Sequence, residues 1–293
     1  FQQFYNMADT IIVGRTISVE ALAAVGATGS ISFLIVGFVQ GVTSGFAVIT
    51  AQRFGAGSEN GVRRSVATSI ILGIAVTIVM TAISVLAARP LLEIMKTPSY
   101  IIVIFEGIAA AVFFNLFSSI LRSLGDSKTP LVFLIIASII NIILDFVFIL
   151  TFKMGVAGAG WATVIAQFIS GILCFVYSLK KFPILRLTKH DWKFSWKFAW
   201  QHLEVGLPMA FQFSITAIGT MVIQSALNSL GSTAVAAFTA GSKIDQFATQ
   251  PLASLGVAVA TYTAQNYGAR ELERIKKGVT GAAIIATVCG IVG

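Results

Sequence analysis

Asp9, Asn141, Asp145 and Thr163 are the side chains of this sequence best equipped to hold a cation. Two carboxylates, an amide oxygen and a hydroxyl are hard oxygen donors, suited to Na⁺ or to a proton shared between coupled acids. Each sits in an apolar run: "YNMADTIIVG", "NIILDFVFI" and "GVAGAGWATVIAQ". An ionised group at the centre of such a run costs roughly 2.5–3.5 kcal/mol on membrane-insertion scales, so an acid kept there is a functional suspect. Asn141 and Asp145 are four residues apart and share a helix face. Gln2, Tyr5, Asn6 and Asp9 follow at i, i+3, i+4 and i+7, a polar stripe that should face a wet cavity rather than lipid. Gln2, Tyr5 and Asn6, with Gln167 and Gln212, are the candidate lining of that cavity.

The elements that carry these residues are membrane helices. Of 293 residues, 56% are hydrophobic and 11% charged; mean hydropathy is +0.89. Soluble domains carry roughly 25% charged residues, which excludes a water-soluble globule. The absence of sustained period-2 alternation argues against a transmembrane barrel. Apolar runs long enough to cross a bilayer recur at about 1–14, 24–52, 65–88, 101–121, 130–150, 158–179, 203–227, 234–265 and 276–293. The expected fold is an all-α polytopic membrane protein, with 1–179 as a first lobe, 180–202 as an amphipathic linker and 203–293 as the start of a second lobe. The first and last runs are cut short, as in a piece of a longer protein.

Charge sets the orientation. The loops after spans two, four, six and eight carry most of the Lys and Arg, and 180–202 alone holds Lys180, Lys181, Arg186, Lys189, Lys193 and Lys197. The positive-inside rule makes those loops, and the N-terminus, cytoplasmic. Their position accounts for the net charge of +8 without nucleic acid as a partner; membrane lipids are the expected one. Counted from the opposite surface, Asp9, Asp145 and Thr163 each lie roughly 8 Å deep at 1.5 Å per residue.

The chain also repeats itself. Shifted by 213 residues, "ALAAVGATG" (21–29) falls on "AVAAFTAGS", "TAQRFGAG" (50–57) on "TAQNYGAR", and Arg63-Arg64 on Lys276-Lys277. The shift crosses six spans, so both copies point the same way. A parallel repeat of two six-helix lobes follows, related by a pseudo-twofold along the membrane normal, of which the chain holds about nine of twelve helices. Such a repeat favours a path between the lobes opened by their relative movement. Asp9 falls on Val222, so the helix pair does not need that acid in order to fold. Gly37, Gly41 and Gly45 form a small-xxx-small face for close helix packing.

Other polar groups read as structural. Glu106 and Glu204 lie near span ends, where they can reach water; Lys243 and Asp245 share one segment. His190 and His202 fall in the linker without a second ligand, and Cys174 and Cys289 lie in apolar spans, so no metal or cofactor is assigned. No nucleophile–base or zinc pattern occurs within a span, so an enzyme is not expected.

"YNMADTIIVGR", "ALAAVG", "AQRFGAG", "LRSLGDSKTP", "NIILDFVFI", "GVAGAGWATVIAQ", "GLPMAFQ" and "AQNYGAR" together resemble the multidrug and toxic compound extrusion (MATE) transporters, most nearly the prokaryotic branch that includes DNA-damage-inducible-type proteins. The resemblance covers nearly the whole chain. It implies a twelve-helix monomer in the prokaryotic inner membrane that exports small organic, often cationic compounds against H⁺ or Na⁺. It also implies that Asp9, Asn141, Asp145 and Thr163 are the cation site. "MKTPSYIIVIFEGIAAAVFF" looks shorter than the family's third-to-fourth connection, as if residues were missing near 98–101. The alternative is a lipid-linked oligosaccharide flippase of the same wider superfamily, which needs a strongly basic cavity; the spans hold almost no internal Lys or Arg apart from Lys243.

Overall fold

The repeat seen in the sequence reappears in the computed structural model as helices of equal length in equal register. The structure describes residues 11–16, 19–95, 103, 105–228 and 232–292; at 19–32, 85, 87–95, 224–225, 228, 232–237, 239–240, 243–248 and 292 it describes the backbone alone. After a helical stretch at 11–16 come α1 (Val19–Gly55), α2 (Glu59–Met95), α3 (Ile108–Ser123), α4 (Lys128–Phe146), α5 (Val156–Lys181), α6 (Trp196–Asn228), α7 (Ser232–Gly268) and α8 (Leu272–Val292). α1 and α7 are both 37 residues long. Shifted by 213, the bounds of α1 become those of α7, and the first residue of α2 becomes the first of α8. The turns match too: Gly57 (φ +67°) and Arg270 (φ +61°) occupy equivalent left-handed positions after them.

The helices overrun the apolar spans by several residues at most ends, because charged and polar end residues stay helical where they meet water or headgroups. Among the described residues, five stretches are long and apolar enough to cross a membrane: Phe33–Gly55, Glu59–Ser84, Lys128–Thr151, Val156–Lys181 and Trp196–Ile223; Ile108–Ser123 is shorter. Residues 96–100, where the sequence looks short, lie outside the described residues. The largest departure is at the linker. Residues 182–195 form a short 3-10 turn and loop, but 196–202, expected to belong to it, are the first two turns of α6.

α3 runs through the middle of the first lobe and is buried on nearly every face. Val42 and Phe46 of α1, Val62 and Val66 of α2, Ile120 and Leu121 of α3, Cys174 of α5 and Ala199 of α6 share one core. α1 packs hardest against α6. The small-residue face is the reason: a Cβ added at Gly41 would lie 2.5 Å from the Ala210 Cα, and one at Gly45 2.4 Å from the Gly206 Cα. Such backbone-to-backbone approach is how helices associate without a hydrophobic drive between them.

α4 shows the membrane pattern clearly. Val132, Ile136, Ile139, Ile143, Phe146 and Leu150 form an exposed apolar stripe, while Ala137, Asn141 and Asp145 are buried on the opposite face. Its start is fixed by Asp126, which accepts hydrogen bonds from the Thr129 N–H (3.0 Å) and hydroxyl (2.8 Å) after the left-handed Gly125. Its end widens into a π-turn over Val147–Thr151, closed by Phe152 N–H to Val147 O at 3.0 Å.

Candidate functional site

Three of the four sequence-derived cation ligands come together where α4 meets α5. Asn141 and Asp145 lie one turn apart on α4, 1% and 0% exposed. The Asn141 Nδ2 donates to Thr163 Oγ1 on α5 at 3.3 Å, which ties the face of α4 that carries Asp145 to Thr163. α5 comes close because its entry is made of small residues. Gly155 caps it at φ +59°, and Gly158, Ala159, Gly160 and Ala162 are buried behind. A Cβ on Gly158 would meet the Phe148 Cβ at 3.0 Å.

Beside the pair lies a small cavity of about 10 Å³, lined by Asn141, Thr163, Gln167 and Ser170 with apolar Phe114 and Leu134. That is near the lower limit for one water. Gln167, a candidate for the substrate cavity, lines this small cavity together with Asn141 and Thr163. Gln212, expected beside it, is exposed on α6. Gln2, Tyr5, Asn6 and Asp9 lie outside the described residues. The chain that follows them does not: Ile12 and Val13 pack with Ile142, Ile149, Val156 and Ala159, the same ends of α4 and α5 that carry Asn141, Asp145 and Thr163. Glu106 and Glu204 are exposed, and the side chains of Lys243 and Asp245 are not described. Among the described residues no three His, Cys, Asp or Glu side chains gather as a metal cluster would.

A second polar cluster was missed by sequence reasoning. His202 is fully buried at the basic end of the first lobe. Its Nε2 lies 2.9 Å from Ser65 Oγ, which lies 2.9 Å from Thr50 Oγ1, and its Nδ1 lies 2.9 Å from the Phe198 carbonyl. The guanidinium groups of Arg53 (5.5 Å) and Arg64 (5.3 Å) both lie over the ring of Phe198. One signal was available: Phe198, Ala199, His202, Leu203 and Gly206 recur at helical spacing, extending the buried face of α6 back through the linker. Next to this cluster, Asp191 accepts the Thr188 N–H and hydroxyl, both at 2.7 Å, and pairs with Arg63 Nε at 3.8 Å. Burial pushes the Asp191 carboxyl up, but those two hydrogen bonds and the charge of Arg63 outweigh it and hold the group below the ordinary carboxylate range.

The MatE family model matches residues 1–147 and 208–293. The chain belongs to the MatE family. A probable multidrug resistance protein of Bacillus subtilis, YoeA, is 28% identical to this MatE chain over 291 residues, covering 94% of the chain and 63% of the relative. The probable multidrug resistance protein NorM of Thermotoga maritima is 27% identical over 289 residues, 94% of the chain and 61% of the relative. The chain therefore spans less than two thirds of the length of these relatives. Among solved structures it resembles a multidrug resistance MATE transporter in an outward-facing conformation, with a TM-score of 0.89 and 26% identity, over 99% of this chain and 66% of that one. MatE proteins are membrane transporters rather than enzymes, and a helical, multi-pass MatE fold accounts for every described element.

Proposed function

We propose that the whole protein exports small organic, often cationic compounds by antiport against H⁺ or Na⁺, and that Asp9, Asn141, Asp145 and Thr163 hold the coupling cation. The observation that carries this reading is the fully buried Asp145 one turn from the Asn141–Thr163 pair. A carboxylate in that position stabilises a bound cation, whereas the same site without one leaves a charge in low dielectric. The packing of Ile12 and Val13 on this corner brings the chain just beyond Asp9 to the same place. Loading from outside would repack the first helix and displace the exported compound; release on the basic, cytoplasmic side would reset it. Multi-pass insertion in a prokaryotic plasma membrane, N-terminus inside, and action as a monomer complete the proposal.

The test is efflux from vesicles holding the full protein, under imposed Na⁺ or H⁺ gradients. Wild type should respond to one gradient, and Asp145→Asn and Asp9→Asn should each abolish the coupled component. Coupled efflux surviving both substitutions would exclude this cation site.

A further inference from the structure

The two copies of the motif Ala-Gln-x-x-Gly, at 51–55 and 264–268, meet each other in space. A Cβ on Gly55 would lie 1.9 Å from the Gln265 carbonyl oxygen, and a Cβ on Gly268 would lie 1.9 Å from the Gln52 carbonyl oxygen. Gln52 is equivalent to Gln265 and Gly55 to Gly268 under the 213-residue shift. The contact is therefore reciprocal, each glycine of one lobe pressed on the glutamine backbone of the other, as at an isologous interface. Neither glycine has a left-handed backbone. That conformation falls to Gly57 and Arg270 just beyond them, so close approach is what excludes a side chain at Gly55 and Gly268. The small cavity next to the crossing is lined by three pairs that the shift makes equivalent, Ser44 and Val257, Ala47 and Ala260, and Val48 and Thr261. A further tie crosses the lobes, Gln265 Nε2 donating to the Ser123 carbonyl at the end of α3 at 2.9 Å.

We propose that the paired Ala-Gln-x-x-Gly segments are the gate at the basic end of the lobe interface, and that their separation is the step that opens the transporter to that side. The proposal rests on the transport reading above, because a gate implies alternating access. Four features suit a gate. The contact lies on the pseudo-twofold axis, where relative motion of the lobes must open it. It is made by the helix ends of α1 and α7, rigid elements of equal length. It is backbone on backbone, so it closes without ordering any side chain. It sits at the opposite end of the fold from the Asp145 corner, which lies at the far end of α4 from Lys128. A closed basic end is also what an outward-facing relative would show, and the chain resembles one.

The experiment measures the distance between spin labels at Asn60→Cys and Glu273→Cys, exposed and equivalent positions at the starts of α2 and α8 just beyond the gate, in the full protein in nanodiscs with the native cysteines replaced. A methyl at either glycine overpacks the crossing. Gly55→Ala and Gly268→Ala should each raise the long-distance population about tenfold, the effect of an overpacked contact of about 1.4 kcal/mol. Gln265→Ala, which removes the tie to Ser123 without adding a wedge, should shift the same population in the same direction by less. Unchanged distances in all three variants would overturn the gate, even if vesicles show coupled efflux. Shifted distances support it, even if no gradient drives efflux, in which case the antiport reading is the one that fails.

Discussion

The basic ends of the two lobes follow one backbone path and bury different side chains. In the first, Thr50, Ser65 and His202 form a buried polar chain, and Arg63 reaches across to Asp191 in the linker. In the second, the positions of Thr50, Ser65 and Arg63 hold Thr263, Gly278 and Lys276. The ring of Tyr262 occupies the space over Gly278, with its hydroxyl donating to the Arg274 carbonyl at 3.1 Å. Among the described residues Lys276 pairs within its own helix, with Glu273 at 2.9 Å. The difference separates what the repeat requires from what each lobe has added. Helix bounds, the left-handed turn and the glycine crossing are held in common; polar networks are particular to one lobe. Asp9, equivalent to the exposed Val222, belongs with the second group.

The polar chain should be the costliest to break. His202→Ala leaves a cavity and removes a partner from buried Ser65, and should lower stability by about 3 kcal/mol, read as a lower melting midpoint in detergent. Gly278→Ser, which writes the first lobe's residue into the second, should destabilise too by about 1–3 kcal/mol, since its Cβ would lie 2.2 Å from the Tyr262 ring.

The ion pairs give an inverted expectation. The shorter Lys276–Glu273 bridge has side chains 73% and 75% exposed, whereas the longer Arg63–Asp191 pair is at 23% and 8%. Asp191→Asn should open the 182–195 loop to limited proteolysis. The native latch has the acid dependence of a lowered carboxyl: full above the ordinary Asp range near about 3.9, and lost as pH falls through the depressed native value. Lys276→Ala should change proteolysis and melting by nothing measurable. The turns offer a subtler contrast. Arg270→Gly should be neutral or stabilising by up to about 1 kcal/mol, and Gly57→Ala destabilising by a similar amount, both measured by thermal melting.

Much of the fold was legible because its signals are periodic. The 213-residue shift paired α7 with α1, whose observed bounds then match to the residue, and loop charge marked one common end. Asp145 and Thr163 were grouped, with Asp9, by counting residues from the span ends, and Asn141 joined them by its four-residue spacing from Asp145; counting works because a membrane forces helices into parallel alignment. What was not legible depends on packing across the chain. His202 lay beyond the apolar window in a segment dense with Lys and Trp, and only the α1–α2 surface it enters makes it a core residue. Gly55 and Gly268 were visible as repeats, but their contact is a fact of three dimensions. That Gln167 lines the small cavity beside Asn141 and Thr163 was likewise not legible, because sequence gives its depth and not its neighbours.

The π-turn at Val147–Thr151 settles a mismatch of phase. Ala137, Asn141, Asp145 and Ile149 are buried at a strict interval of four, and in an α-helix of 3.6 residues per turn a four-residue step overshoots by about 40° each time. By the third step an unbroken helix would have carried Ile149 well round toward the lipid-facing stripe. A wider turn holds more residues per revolution and slows the rotation where the overshoot has accumulated. The interval of four is thus kept on one bearing for longer than a uniform helix allows, and Ile149 still points at Ile12 and Val13. A deletion of one residue in 147–151 would return the helix to uniform winding and turn that contact aside, while every residue that names the cation site stayed in place.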